Sequence, residues 1–291
     1  MNVIETNGLT KYYGKSRGII DLSLSVVEGD FFGFIGPNGS GKSTTIRSLL
    51  GLITPTSGSG LIFGMDCVRN KLEILSDVGY VPSEAMFYSG MRVDEIIALS
   101  AKLHKKDCTI KAKELCKRFS VDTKKKVDEL SLGNRRKVSI VCAMQHEPRL
   151  YILDEATSGL DPLMQNEFFS LLNECNKAGA TIFMSSHVLS EIQRYCRHAG
   201  VVREGKLITV STVEEITKSR AKRVVLHGIQ IAPKLSGIYD ASTYDDHISF
   251  LYSGEMHSLI ASLVGFPITD MTVSEPDLDE IFMHFYGGES K

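Results

Sequence analysis

Residues 36–44 read Gly-Pro-Asn-Gly-Ser-Gly-Lys-Ser-Thr and follow the apolar run Phe31-Phe32-Gly33-Phe34-Ile35. Ile46, Leu49 and Leu50 come next at helical spacing. A strand that enters a glycine-rich loop and leaves it as a helix constrains this part of the chain to one local topology. Gly36, Gly41, Lys42 and Ser43 fit the phosphate-loop pattern G-x-x-x-x-G-K-[ST], with Pro37, Asn38, Gly39 and Ser40 between them and Thr44 after. Glycines let the backbone curl so that several N–H groups point at one anion, and the helix N-terminus adds its positive end. The pattern assigns Lys42 to the β- and γ-phosphates and the Ser43 hydroxyl to a magnesium ion. A glycine-rich turn without function would not require the flanking strand and helix. The chain is therefore expected to bind a nucleoside triphosphate.

At 291 residues the chain suits one large domain, or a medium one with a small companion. A chain of this length buries roughly three quarters of its unfolded surface, so the core needs no covalent staples. The net charge of −2 is built from interspersed signs, and no nucleic-acid partner is expected from it. The cysteines Cys67, Cys108, Cys116, Cys142, Cys175 and Cys196 form no C-x-x-C pair and read as reduced core residues of a cytosolic protein. Met1 to Leu9 lacks the features of a signal peptide. No run of 18 apolar residues is present, so any membrane role is expected to be that of a peripheral subunit.

Strands and helices alternate through the first two thirds, which favours an α/β layered core with parallel strands. Leu150–Leu153 and Thr181–Met184 are short continuous apolar runs, as expected of strands buried on both faces. Val3 to Val27 alternates more weakly and reads as a small antiparallel portion. From about 86 to 148 the pattern is helical: Val93, Ile96, Ile97 and Ala101 mark one helix, and Ala112, Leu115, Cys116 and Phe119 another. This region is also basic, which fits a solvated helical surface, or a contact with a partner or an anionic membrane surface. A polar stretch at Thr217–Lys222 suggests a boundary between a domain of residues 1–219 and a small α+β appendage of 220–291. Met256, Leu259, Ile260 and Leu263 form one amphipathic stripe in it; Leu278, Ile281, Phe282 and Phe285, preceded by Pro276, form another. Extended segments are expected near 223–228, 247–252 and 268–273.

Further motifs follow in a fixed order. Leu150–Leu153 ends in Asp154-Glu155. An acid at the end of a buried strand beside a phosphate loop can hold magnesium, and the next acid can orient or deprotonate an attacking water. Upstream lies Leu130-Ser131-Leu132-Gly133-Asn134, and downstream Ser158-Gly159-Leu160-Asp161-Pro162. His187 follows Met184-Ser185-Ser186 at a strand end. In this order the segments resemble the Walker A, LSGGQ signature, Walker B, D-loop and switch-histidine motifs of ATP-binding-cassette (ABC) ATPases, across residues 1 to about 215. Leu132 and Asn134 depart from the signature, while Ser131 and Gly133 are retained. Tyr13, in Lys11-Tyr12-Tyr13-Gly14, resembles the aromatic that stacks on adenine, with Tyr12 a rival one residue away. The tail Ser274-Glu275-Pro276-Asp277-Leu278-Asp279-Glu280-Ile281-Phe282 is similar to that of the daunorubicin- and bacitracin-resistance group of exporters.

The resemblance implies a P-loop NTPase fold of ABC type. It also implies ATP and magnesium as cofactors and two cassettes meeting head to tail, as a homo- or heterodimer. A separate membrane permease would hold the subunit at the inner face of the cell membrane. By the same resemblance Lys42 and the loop amides bind phosphate, and Ser43 and Asp154 serve magnesium. Glu155 polarises water, His187 supports the γ-phosphate, and Ser131 and Gly133 act across the interface near Asp161 of the other cassette. The reading implied is the ATPase subunit of an exporter; a soluble regulatory cassette ATPase and an importer ATPase are the alternatives. One departure stands out. After Gly79-Tyr80-Val81-Pro82, where the family places its Q-loop glutamine, this chain has Ser83, followed by Glu84.

Overall fold

The computed structural model describes residues 1–217 and 222–274. The expected division at 219/220 and the second tail stripe from Pro276 to Phe285 lie outside the described residues. The chain separates into two compact units, Met1–Val213 and Glu214–Lys291.

The larger unit is built around a six-stranded sheet. Its order is Lys206–Thr212, His198–Arg203, Phe31–Ile35, Thr181–Ser186, Leu150–Asp154, Val78–Val81. The first strand runs antiparallel to its neighbour and all other pairs are parallel. Every residue of Phe31–Ile35, Leu150–Asp154 and Thr181–Ser186 is buried, which is why these segments read as unbroken apolar runs rather than alternating ones. A second, antiparallel sheet of Ser16–Leu22, Asn2–Tyr13, Ser57–Ile62 and Met65–Asp66 accounts for the weaker alternation at the N-terminus; Ser25–Val27 also pairs with its long strand. Ile4, Leu9 and Ile19 from that sheet join Phe32, Phe34, Ile152 and Phe183 of the parallel one in a single buried cluster. The Phe32 and Phe183 rings stack there at 5.7 Å. The helix Lys42–Leu49 adds Ile46 and Leu49 to the same cluster.

Three helices fill most of the region between 86 and 148: Val93–Leu103, Thr109–Arg118 and Leu132–Met144. Val93, Ile96 and Ile97 are buried, as are Ala112, Leu115, Cys116 and Phe119, so the helical periodicity marks real inward faces. All six cysteines are free thiols.

The smaller unit contains a four-stranded antiparallel sheet in the order Ile238–Thr243, His247–Tyr252, Lys222–His227, Asp270–Ser274. The strand Ile238–Thr243 is additional to the three expected extended segments. Met256–Ser262 forms the expected helix, and Leu259 and Leu263 enter a cluster with Val224, Leu226 and Phe250. Ile260, assigned to the same stripe, is instead 54% exposed. A seven-residue helix buries only a narrow face, and position 260 lies beside that face rather than on it.

Candidate nucleotide-binding site

The parallel register aligns the carboxyl ends of three buried strands. Ile35 pairs with Ser186, and Asp154 with Ser185. The phosphate loop, the acidic pair and the histidine segment thus leave the sheet side by side, at the edge where open α/β sheets bind ligands.

The loop geometry demands its glycines. A Cβ on Gly36 would lie 2.1 Å from the Val202 carbonyl oxygen. Gly41 has φ +110°, and a Cβ there would lie 2.8 Å from the Gly18 carbonyl oxygen. Lys42 follows as the first residue of the helix and is only 4% exposed. Its Nζ donates to the carbonyl oxygens of Gly36 (2.7 Å) and Pro37 (3.1 Å) and stands 3.3 Å from Glu155 Oε1. Phosphate oxygens entering the loop compete for this ammonium with the two carbonyls and the carboxylate.

Asp154 is completely buried. Its Oδ1 accepts from Ser43 Oγ at 3.0 Å and from Ser185 Oγ at 2.8 Å. Its Oδ2 is buried without a protein hydrogen-bond partner. A buried carboxylate oxygen left in this way costs several kcal/mol of desolvation, roughly 1–3 or more, unless something positive reaches it. With the Ser43 hydroxyl beside it, the pair is an all-oxygen donor set that suits a hard divalent cation.

Glu155 adopts φ +49°, in the left-handed region that residues with a Cβ seldom occupy. Its N–H donates to the Ser185 carbonyl and to Ser185 Oγ, both at 3.2 Å, which holds the backbone in that conformation. Strain of this kind, worth about 1–3 kcal/mol, persists where the surroundings over-determine it and collects at active sites. It aims the carboxylate between Lys42 and the exposed His187, whose Nδ1 lies 3.5 Å from Glu155 Oε2.

The cleft over this cluster is lined by Asn38, Gly39, Gly41, Lys42, Ser43, Thr44 and Glu155, with Tyr13, Arg17, Gly18 and Ser83 completing its wall. Tyr13 lines it and Tyr12 does not. Ser40 sits beneath the loop, its carbonyl accepting from Gly205 N–H (2.9 Å), and the Pro37 carbonyl accepts from Lys42.

The remaining sequence candidates lie apart from this cleft. Ser131 caps the helix Leu132–Met144, its Oγ accepting from Asn134 N–H at 3.4 Å, and is exposed. A Cβ on Gly133 would lie 2.7 Å from the Gly159 carbonyl, so the signature-like loop packs closely on the segment that leads to Asp161. Asp161 caps the helix Pro162–Lys177, accepting from Met164 N–H at 3.0 Å. Neither Ser131, Gly133 nor Asp161 lines the cleft.

Three side chains escaped the sequence reading. Ser185 grips both Asp154 and Glu155. Arg17 reaches the cleft from the hairpin of Tyr13. The buried Arg136 donates to the carbonyls of Pro82, Ser83 and Ser158, tying the segment at the Q-loop position to the D-loop. Burial lowers its pKa from the ordinary guanidinium value, opposed by the carboxylates of Asp154, Glu155 and Glu84. Only Ser185 had a signal, as a polar residue ending an apolar run. After Ser83, Met86, Phe87, Tyr88, Leu99 and Leu103 line an apolar groove on the helical region, with Met86, Tyr88 and Leu103 strongly exposed.

A phosphate loop and, two strands away in the same parallel sheet, a buried strand-end aspartate followed by a strained glutamate define a P-loop ATPase of the cassette class. Residues 19–158 match the ABC transporter family. The bacitracin transport ATP-binding protein of Bacillus licheniformis is 36% identical, over 98% of both chains. That of Enterococcus faecalis is 34% identical, over 98% of this chain and 97% of the relative. A solved structure of the ATP binding subunit of an ABC transporter superposes with a TM-score of 0.69 at 29% identity, covering 74% of this chain and 92% of that one. The chain belongs to the ABC transporter family as an ATP-binding subunit, and it is an ATPase. Among the described residues, no helix is long and apolar enough to cross a membrane.

Proposed function

We propose that this ATPase works in a head-to-tail pair of cassettes that powers a separate membrane permease exporting an antibiotic. The observation that carries the reading is the length of the likeness: the bacitracin transport ATP-binding protein of Bacillus licheniformis matches over 98% of both chains, beyond the cassette alone. In the proposed site Tyr13 stacks on adenine, while Lys42 and the amides from Gly36 to Thr44 hold the phosphates. Ser43 and Asp154 hold magnesium, which when bound neutralises phosphate charge; the unpartnered Asp154 Oδ2 supports this placement. Glu155 polarises the attacking water and His187 supports the γ-phosphate. Most of the catalysis is then positioning and electrostatics.

Because Ser131 and Gly133 stand outside the cleft of their own chain, they serve the cleft of a second cassette, next to its Asp161. The permease seats a cytoplasmic element in the groove of Met86, Phe87 and Leu103, and so holds the subunit at the inner face of the membrane. Exposed apolar side chains gathered in one concavity support this docking. The test is co-expression with a candidate membrane permease subunit. ATP hydrolysis should rise when the two are reconstituted together, and cells carrying both should resist bacitracin. A chain that purifies free of any membrane subunit and hydrolyses ATP unaffected by one would defeat the proposal.

A further inference from the structure

The antiparallel register of the smaller unit sets His227 directly opposite His247. Residues so opposed project from the same face with Cβ atoms about 4.5–5.5 Å apart. The two imidazole centroids lie 5.1 Å from each other. Asp246, next to His247, presents one carboxylate oxygen to each ring. Its Oδ1 is 2.6 Å from His247 Nδ1, and its Oδ2 is 3.7 Å from His227 Nδ1. One donor atom from each of the three residues falls within 4.8 Å of the others. The surrounding turn is fixed. Tyr244 stacks on the His247 ring at 4.5 Å and donates its N–H to the His247 carbonyl at 2.9 Å, and Gly228 N–H donates to the Asp246 carbonyl at 3.2 Å.

We propose that His227, Asp246 and His247 bind a divalent transition-metal ion of the zinc class. A single carboxylate needs only one protonated imidazole as its charge partner; two rings turned toward it by the same nitrogen make a ligand set. Zinc takes imidazole nitrogen at about 2.0–2.1 Å and carboxylate oxygen at about 2.0–2.2 Å, and three protein ligands leave a further position for water. Two nitrogens among three donors disfavour magnesium and calcium, which select oxygen. The site thus differs in metal preference from the all-oxygen pair Ser43 and Asp154. A bound ion clamps the end of the strand Lys222–His227 to the start of His247–Tyr252, and it stabilises this unit in proportion to metal concentration over Kd.

The experiment uses the full chain, stripped with a chelator and kept in excess magnesium. Zinc is titrated calorimetrically, cobalt(II) is added as a spectroscopic probe, and melting is followed with and without zinc. The expected result is one zinc per chain, a visible cobalt absorption band and a raised melting midpoint. All three should be lost in His227→Gln/His247→Gln and weakened in Asp246→Asn. Asp246 is exposed, so its variant keeps the fold and preserves the test should the double variant fail to fold. Wild-type chain that takes up no zinc overturns the proposal. So does undiminished zinc uptake in Asp246→Asn together with an unchanged cobalt spectrum.

Discussion

The phosphate loop and the Ser131 loop belong to one chain and are built in opposite ways. Around Lys42 the central groups, Lys42 and Asp154, are buried and hydrogen-bonded beside the ends of strands locked into a sheet. Asp154 alone accepts from two different segments. Around Ser131 the functional face is exposed, with Leu132 80% open to solvent at the first turn of its helix. The buried half is preorganised for an anion and a cation. The exposed half is rigid in backbone, through the Ser131 cap and the close Gly133–Gly159 approach, but offers its side chains to something outside the chain. If the Ser131 loop completes the cleft of a second cassette, as proposed, this division ties hydrolysis to assembly.

The largest effect expected on the buried half is that of Glu155→Gln. Loss of the positioned base should cut steady-state hydrolysis by roughly 10²–10⁴-fold, with ATP binding retained. Removing the negative charge also relieves its repulsion with the γ-phosphate, so ATP-bound dimers should accumulate in size-exclusion runs. Turnover within about threefold of wild type would remove Glu155 from the chemistry.

The exposed half is tested by mixing. Ser131→Arg and Lys42→Ala chains should each be nearly inactive alone. In a mixed pair both lesions fall in one composite site and the other site is intact, so activity should return. If heterodimers form and no activity returns, the two halves do not meet across an interface, and the division described above has another purpose.

How much of this division was legible follows from distance along the chain. Gly36 to Thr44 is contiguous, and so is Asp154-Glu155; local spacing alone identified the segments that the parallel register brings together. Tyr13 against Tyr12 was undecidable from spacing, because only the three-dimensional cleft separates adjacent residues. Arg136 carried no signal, since its partners Pro82, Ser83 and Ser158 lie more than twenty residues away in two separate loops. The strand Ile238–Thr243 was missed for a related reason. Its first residues are half-buried and the later ones mostly exposed, so it lacks the alternation that marks a strand with one inward face. His227 and His247 are neighbours only through sheet register, which no local pattern reveals.

The two halves should also differ in acid. The helix capped by Ser131 ends against His146, which is buried and stacked on His104 at 3.5 Å. Burial, then the neighbouring His104 and Lys106, lowers the His146 pKa from 6.5 to about 4. The folded chain therefore holds this imidazole neutral, and the unfolded chain binds its proton first as pH falls. The stabilisation is full above pH 6.5 and is lost progressively down to about pH 4, an amount on the order of 3 kcal/mol. Hydrogen exchange between pH 7 and 5 should show Leu132–Met144 losing protection before Phe31–Ile35. His146→Phe should flatten that dependence. Equal loss across both segments would mean that the halves unfold as one unit.

The smallest effect is expected at the seam. Arg136 holds the carbonyls of Pro82 and Ser83, so the backbone at the Q-loop position is fixed whatever side chain stands there. Ser83 lines the nucleotide cleft, whereas Glu84 is exposed and does not line it. Of the two residues, Ser83 thus occupies the place from which a longer amide would reach magnesium and water. Ser83→Gln should raise permease-stimulated hydrolysis severalfold, with basal hydrolysis changing less. Glu84→Ala should leave both rates near wild type. The measurement is the ratio of stimulated to basal hydrolysis in reconstituted membranes. If Glu84→Ala lowers that ratio and Ser83→Gln leaves it alone, the coupling function has moved one residue along the chain. The seam between the halves would then run through an exposed carboxylate rather than through the cleft wall.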